Sequence, residues 1–213
     1  AKLEQFFSPE EGKDYSRLTQ YNLSYRSGNF NFDVGHFYET FGRGILLRSF
    51  NIKGSVYEGR ALRVKHGFYK NINGFAARYR SDFLRVKAVR GRMLSSQFPP
   101  GFDYSQRWPN LVEGIETILT VSKQNIGFTY VRNQLSDTKN HFGSLNVNGS
   151  LSSNLTYYTE WAHSMNEAEY FFRTNADSRY AFYFNGNYSY NNLGILFEYK
   201  DYQDFLIGTG INE

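Results

Sequence analysis

Cysteine is absent from the 213 residues, which removes disulfides, thiol catalysis and thiolate metal sites from consideration. No run approaches the roughly 20 apolar residues that a transmembrane helix requires, and the mean hydropathy is negative. A membrane-spanning strand wall is not excluded by this, because alternation dilutes its apolar residues with hydrophilic ones. Proline is scarce at four residues, and Pro99-Pro100-Gly101 together with Trp108-Pro109 predicts an irregular loop over residues 95–110. The net charge of +4 is too small to imply a nucleic-acid partner without a concentrated patch. Residues 1–16 carry charges but no continuous apolar run. They do not read as a signal peptide, and are expected to be an irregular segment at a mature start or a fragment boundary.

What the chain has in abundance is Tyr, Phe and Gly, arranged with a period of two. Residues 142–151 place Gly143, Leu145, Val147, Gly149 and Leu151 on one side, with Ser144, Asn146, Asn148 and Ser150 on the other. That alternation is a strand, since successive side chains of a strand turn to opposite faces. Ser152-Ser153-Asn154 breaks the pattern, and residues 155–164 restart it, which makes a hairpin. Residues 180–190 and 193–202 repeat the arrangement around Asn191-Asn192, a pair that tolerates positive φ and closes tight hairpins. Each run is about ten residues long, the length a tilted strand needs to cross a bilayer, whereas soluble strands more often stop at about five or six. Short tips alternate with a long polar connection over residues 165–179. Tyr157, Trp161, Tyr180, Tyr188, Tyr190 and Tyr199 sit on the apolar faces and form a candidate aromatic girdle, rings suited to a headgroup boundary.

Earlier in the chain, residues 18–25 alternate as a first strand ending at Ser27-Gly28-Asn29, and a second runs from Phe30 through Phe41. Gly42-Arg43-Gly44 interrupts it, read as a bulge or corner in the strand before Ile45-Leu46-Leu47 resumes an apolar character. From Arg60 to Arg92 the sheet changes electrostatic colour. Leu62, Val64 and Phe68 oppose Arg63 and Lys65; Phe75, Ala77 and Tyr79 oppose Arg78 and Arg80; Ser81-Asp82 is a two-residue tip; Leu84, Val86 and Ala88 oppose Arg85 and Lys87. Arg63, Lys65, Arg78, Arg80, Arg85 and Lys87 thus form a candidate basic face lining a lumen. They would either concentrate anions in a water-filled passage or be paired by acids from strands distant in sequence. Strand pattern returns over residues 115–121 and 126–130, with a tip at residues 122–125 and a polar loop at residues 136–141.

No catalytic constellation emerges. His36, His66, His141 and His163 lack partners at useful spacing. Glu160-Trp161-Ala162-His163 imitates a metal-binding pair, but on a strand positions three apart point to opposite faces. No cofactor, metal ligand set or phosphate loop is expected; Gly42-Arg43-Gly44 lacks the following Lys-Ser/Thr and helix. The Asn-x-Ser/Thr sites at Asn22, Asn148, Asn154 and Asn187 read as lining asparagines.

Residues 33–48 (Asp-Val-Gly-His-Phe-Tyr-Glu-Thr-Phe-Gly-Arg-Gly-Ile-Leu-Leu-Arg), residues 61–65 (Ala-Leu-Arg-Val-Lys) and residues 154–162 (Asn-Leu-Thr-Tyr-Tyr-Thr-Glu-Trp-Ala) resemble an uncharacterised family of outer-membrane β-barrel proteins of Gram-negative bacteria, porin-like in architecture. The resemblance implies a barrel and a location in the outer membrane, with no established reaction. Residues 208–213 trail off without a terminal aromatic, which predicts a piece of a larger barrel.

The expectation is therefore an all-β chain, one domain over residues 1–213: an antiparallel meander of about ten strands forming a transmembrane β-barrel or part of a larger one. It would act as a porin-like channel or envelope scaffold, with outer-membrane lipid, small anionic solutes or other envelope proteins as partners. The alternative is a soluble β-sandwich or barrel that binds carbohydrate or protein through surface aromatics, because alternation alone does not say whether an apolar face meets lipid or a second sheet.

Overall fold

A computed structural model describes residues 1–6, 15–50, 71–94, 107–135, 138–165 and 179–205. These form twelve strands, β1 (Lys2–Phe6), β2 (Tyr15–Gln20), β3 (Asn22–Ser27), β4 (Phe30–Phe37), β5 (Ile72–Arg80), β6 (Leu84–Leu94), β7 (Arg107–Val121), β8 (Gln124–Leu135), β9 (Thr138–Ser150), β10 (Leu155–Met165), β11 (Tyr180–Tyr190) and β12 (Leu193–Gln203), with no helix among the described residues. β3 to β12 make one ten-stranded antiparallel sheet in which every strand pairs with its sequence neighbours. This is the meander that the alternation predicts. β1 and β2 form a separate two-stranded antiparallel sheet.

The sheet has two chemically opposite faces. Residues 38–50, which follow β4, fold back over one face, called inner here, and bury Phe41, Ile45, Leu46 and Leu47 against it. Inner-facing Glu116, Glu160 and Asn146 are 1%, 2% and 1% exposed, while outer-facing Phe75, Ile115, Phe128 and Phe197 are 43%, 44%, 52% and 58% exposed. This inverts the usual disposition, in which acids stay wet and large apolar side chains are covered. Leu145, Val147, Phe182 and Phe184 share the outer face with Phe197, as the ladder Phe128, Leu145, Trp161 and Phe182, and the pairs Val147–Thr159–Phe184, require.

The strands end at two unlike rims. At one, the connections are short: Gly28 and Asn29, residues 81–83, Ser122 and Lys123, residues 151–154, and Asn191 and Asn192. Gly28, Ser122 and Asn191 take positive φ there, as tight hairpin turns require. At the other rim residues 38–71, 95–106 and 166–179 are long connections, and residues 136–137 are a short one.

Several local expectations change. Lys2–Phe6 is a strand, although residues 1–16 were expected to be irregular. The alternation over residues 18–25 is broken at Tyr21, so that β2 leaves for the small sheet and β3 stays in the large one. The cause is local: His36 N donates to Tyr21 O at 2.7 Å, and Gly35, at φ +101°, leaves room for the Tyr21 backbone and ring where a Cβ would collide. β4 ends at Phe37, so Gly42-Arg43-Gly44 is the tip of an inward-folded segment and not a distortion within a strand. The Ser81-Asp82 tip includes Phe83 as well, with Ser81 N donating to Leu84 O at 2.8 Å. β7 begins at Arg107, inside the predicted loop over residues 95–110; Pro109, which has no N–H to give, falls where the β6–β7 register shifts between Arg92 and Leu94. β9 begins at Thr138, so most of the predicted loop over residues 136–141 is paired strand. The predicted strand around Arg63 and Lys65, the histidine His66, residues 95–106 and the tail at residues 208–213 lie outside the described residues.

Candidate functional site on the inner face

Residues 38–50 are a small closed loop before they are anything else. Phe41 N donates to Leu47 O (3.0 Å), Ser49 N to Glu39 O (3.0 Å) and Gly44 N to Phe41 O (2.8 Å), while Glu39 N donates to Ser49 Oγ (2.6 Å). These bonds satisfy backbone groups that burial removes from water. The tip turns at Gly42 and Gly44, at φ +51° and +89°. At Gly42 space matters too: a Cβ there would lie 2.9 Å from the Tyr158 hydroxyl and 3.3 Å from Glu160 Oε2.

The loop is held by charge at one end and by aromatic and carboxylate groups at its tip. Glu39 Oε2 accepts from Arg78 Nε at 2.6 Å, and Arg78 also pairs with Asp33. Lys87 Nζ lies 3.4 Å from Glu39 Oε1 and 3.0 Å from Glu116 Oε2, and donates to Thr40 O at 2.8 Å. Gly42 N donates to Glu116 Oε1. Arg43 stacks on Tyr158, 4.3 Å from guanidinium carbon to ring centre, and donates to the Tyr183 hydroxyl at 3.3 Å. Tyr158 in turn donates to Glu160. Phe41 sits over Gly114, whose hydrogen in place of a Cβ leaves the space for the ring.

This convergence shapes the sheet. Glu116 on β7 and Glu160 on β10 are three strand spacings apart and two residues out of row, so a flat sheet would hold them more than about 14 Å apart. Side chains leave a sheet roughly perpendicular to it, so both reach Gly42 because the sheet curls around the loop. Burial of Phe41, Ile45 and Leu47 contributes about 1.5–3 kcal/mol each. The paired charges then fix where that apolar loop sits, since a buried ion left without its partner is costly.

Of the six residues expected on a basic face, Arg63 and Lys65 lie outside the described residues. Arg78, Arg80, Arg85 and Lys87 all turn to the inner face, in the pairs Arg78–Lys87 and Arg80–Arg85. Arg78 and Lys87 are engaged by Asp33, Glu39 and Glu116. Arg80 and Arg85 stand directly opposite one another near the short-turn rim, and neither forms an ion pair among the described residues. Glu39, Glu116 and Tyr158 were not singled out from the sequence, Arg43 was noted only within the Gly42-Arg43-Gly44 interruption, and Glu160 only as half of a rejected metal pair with His163. Their positions on the alternating strands were readable by parity for Glu116, Tyr158 and Glu160, but nothing local marks them as partners of residues 39–43.

The six aromatic positions all lie on the outer face, in two groups with one exception. Tyr157, Tyr188 and Tyr190 gather toward the short-turn rim, and Trp161 and Tyr180 toward the other, their rings stacked at 5.0 Å and 4°. Tyr199 sits between them, opposite Phe184. Glu160 turns inward while His163, whose Nδ1 lies 3.0 Å from Arg179 O, is on the opposite face, so the two do not converge. Among the described residues no group of three or more His, Asp or Glu side chains could hold a metal ion.

The molecule so described is an all-β protein, a ten-stranded antiparallel meander curled around a loop of its own, with buried charge inside and exposed apolar side chains outside. It belongs to DUF6029, a family of unknown function whose model matches residues 2–208. An uncharacterised family thus covers nearly the whole chain. No curated protein and no solved structure matches it.

Proposed function

We propose that the chain forms the wall of an integral β-barrel in the outer membrane of a Gram-negative bacterium, a porin-like channel narrowed by its own residues 38–50, with no catalytic role. The observation that carries this reading is the inversion of the faces. Phe75, Ile115, Phe128 and Phe197 are exposed outward while Glu116, Glu160 and Asn146 are buried inward. Exposed apolar surface of this extent is unfavourable in water and favourable in hydrocarbon. The strands support it, since β6 to β12 each run for 11 to 15 residues, enough to cross a bilayer at a tilt of about 45°.

The solute class follows from the inner face. Arg80 and Arg85 hold like charges directly opposite one another, an arrangement that costs stability and attracts small anions in a low-dielectric passage. The test is reconstitution of the full chain into planar bilayers. The expected result is insertion from detergent and a small conductance that prefers chloride to potassium and rises when residues 40–47 are replaced by a short glycine linker. Insertion with no conductance in either form makes the protein an envelope scaffold. A chain that stays monodisperse without detergent overturns the barrel and favours a soluble binder of carbohydrate or protein through its aromatics.

A further inference from the structure

The outer face is uncharged over most of its area, and apart from Asp201 on β12 its charged side chains gather in one region. Among residues whose side chains are described, the half of each strand nearer the short-turn rim presents no charged side chain outward. Toward the other rim a single cross-strand row reads Arg90, Glu113, Arg132 and His141 on β6 to β9, with Arg92 and Lys139 in the next row beyond. Arg90 and Arg132 both pair with Glu113, Arg90 at 3.1 Å. One carboxylate therefore answers two guanidinium groups, and Arg90 remains 67% exposed. The row immediately inward of it is Ala88, Ile115, Tyr130 and Gly143, so the excess positive charge abuts the apolar belt with no polar row between. A depression of about 310 Å³ lies at this junction, lined by Arg90, Glu113 and Arg132 on one side and Ile115 and Tyr130 on the other.

We infer that this junction binds the phosphate group of a membrane lipid, with the acyl chains lying along Ile115 and Tyr130 and the phosphate held by Arg90 and Arg132. The inference rests on the barrel reading above, because only a bilayer seated on the apolar belt brings headgroups to this height. Two guanidinium forks suit phosphate oxygens, and Tyr130, whose hydroxyl lies 2.6 Å from His141 Nδ1, presents an apolar ring with a polar edge at the same level. Glu113 holds the arginines side by side and limits their attraction for the anion.

The experiment is flotation of the refolded full chain with vesicles of phosphatidylcholine alone and with phosphatidylcholine containing phosphatidylglycerol, followed by native mass spectrometry of retained lipid. Wild type should float with both and retain phosphatidylglycerol preferentially. The double variant Arg90→Gln with Arg132→Gln should lower that preference, by about fivefold per arginine, while Glu113→Gln, which removes no cation, should raise it. Glu113→Gln also keeps the test decisive if the double variant does not fold. Flotation with no preference for phosphatidylglycerol, or a preference untouched by these substitutions, overturns the headgroup site and leaves the barrel standing. Failure of the wild type to float overturns both.

Discussion

The guanidinium carbon of Arg43 lies 4.3 Å from the centre of the Tyr158 ring, which fastens the tip of an inward-folded loop to the far side of the sheet that encloses it. Replacing Arg43 with Ala removes that contact and the bond to the Tyr183 hydroxyl. The expected loss is about 1–2 kcal/mol for a desolvated cation–π contact, read as a lower urea midpoint in detergent. On the channel reading proposed above, a larger mean conductance should accompany it, since the tip is then free to leave the inner face.

Glu39 is shared by Arg78 and Lys87. Removing one member of a buried charged group strands its partners, at a cost of about 3–5 kcal/mol. Glu39→Ala should therefore destabilise more than Arg43→Ala. Brief trypsin treatment should also separate the two proteins: wild type is protected after Arg43 and Arg48, and the variant is cut there before the strands are.

At Gly42 two constraints coincide, a φ of +51° and a missing Cβ that would meet the Tyr158 hydroxyl at 2.9 Å. Gly42→Val should cost about 1–3 kcal/mol from the backbone alone, with the collision in addition. The urea midpoint of the refolded protein measures it. An unchanged midpoint would mean that the tip does not adopt this conformation.

Phe128 is 52% exposed on the outer face, and its replacement by Lys discriminates the two environments. On a water-facing strand an exposed substitution stays within about 0.5 kcal/mol of neutral. Facing the middle of a bilayer, a Lys costs about 2–4 kcal/mol. Refolding yield and unfolding midpoint in lipid vesicles should fall accordingly.

The opposed pair Arg80 and Arg85 gives the fifth comparison. Neutralising both to Gln should relieve like-charge repulsion worth about 0.2–1 kcal/mol, so the variant is no less stable than wild type. Its chloride preference should fall. Arg78 and Lys87, engaged by Asp33, Glu39 and Glu116, should behave oppositely, costing stability first when neutralised.

The faces were legible in the sequence because a strand reports its two sides through parity, and β10, β11 and β12 lie within a residue or two of where the alternation placed them. β9 extends to Thr138 through Thr-Lys-Asn-His, where polarity hides the pattern but backbone pairing with β8 continues regardless of side chain. Gly42-Arg43-Gly44 was misplaced for a related reason. Two glycines announce unusual dihedrals, and the same dihedrals serve a bulge in a strand or the tip of a loop. The contact that distinguishes the two is with Glu116, 74 positions away. Arg90 and Arg92 were within reach, since they share parity with Val86 and Ala88, whereas Arg85 and Lys87 have the other parity and mark the inner face. The acids that answer Arg78 and Lys87 were partly within reach, since Glu116 lies directly opposite Lys87 and Asp33 lies two residues from Asn31, the partner of Arg78, but Glu39 comes from a loop whose place over the inner face has no local code.

The loop's position in the chain has a consequence for how the protein assembles. Each hairpin can close on its neighbour through contacts a few tens of positions apart, but Arg43 meets Tyr183 across 140. The filling therefore precedes most of its container in sequence and is clasped only when the eleventh strand arrives. Such distant closure is slow, so the acquisition of protease resistance at Arg43 should be the last event of refolding, well after strand content has reached its final level.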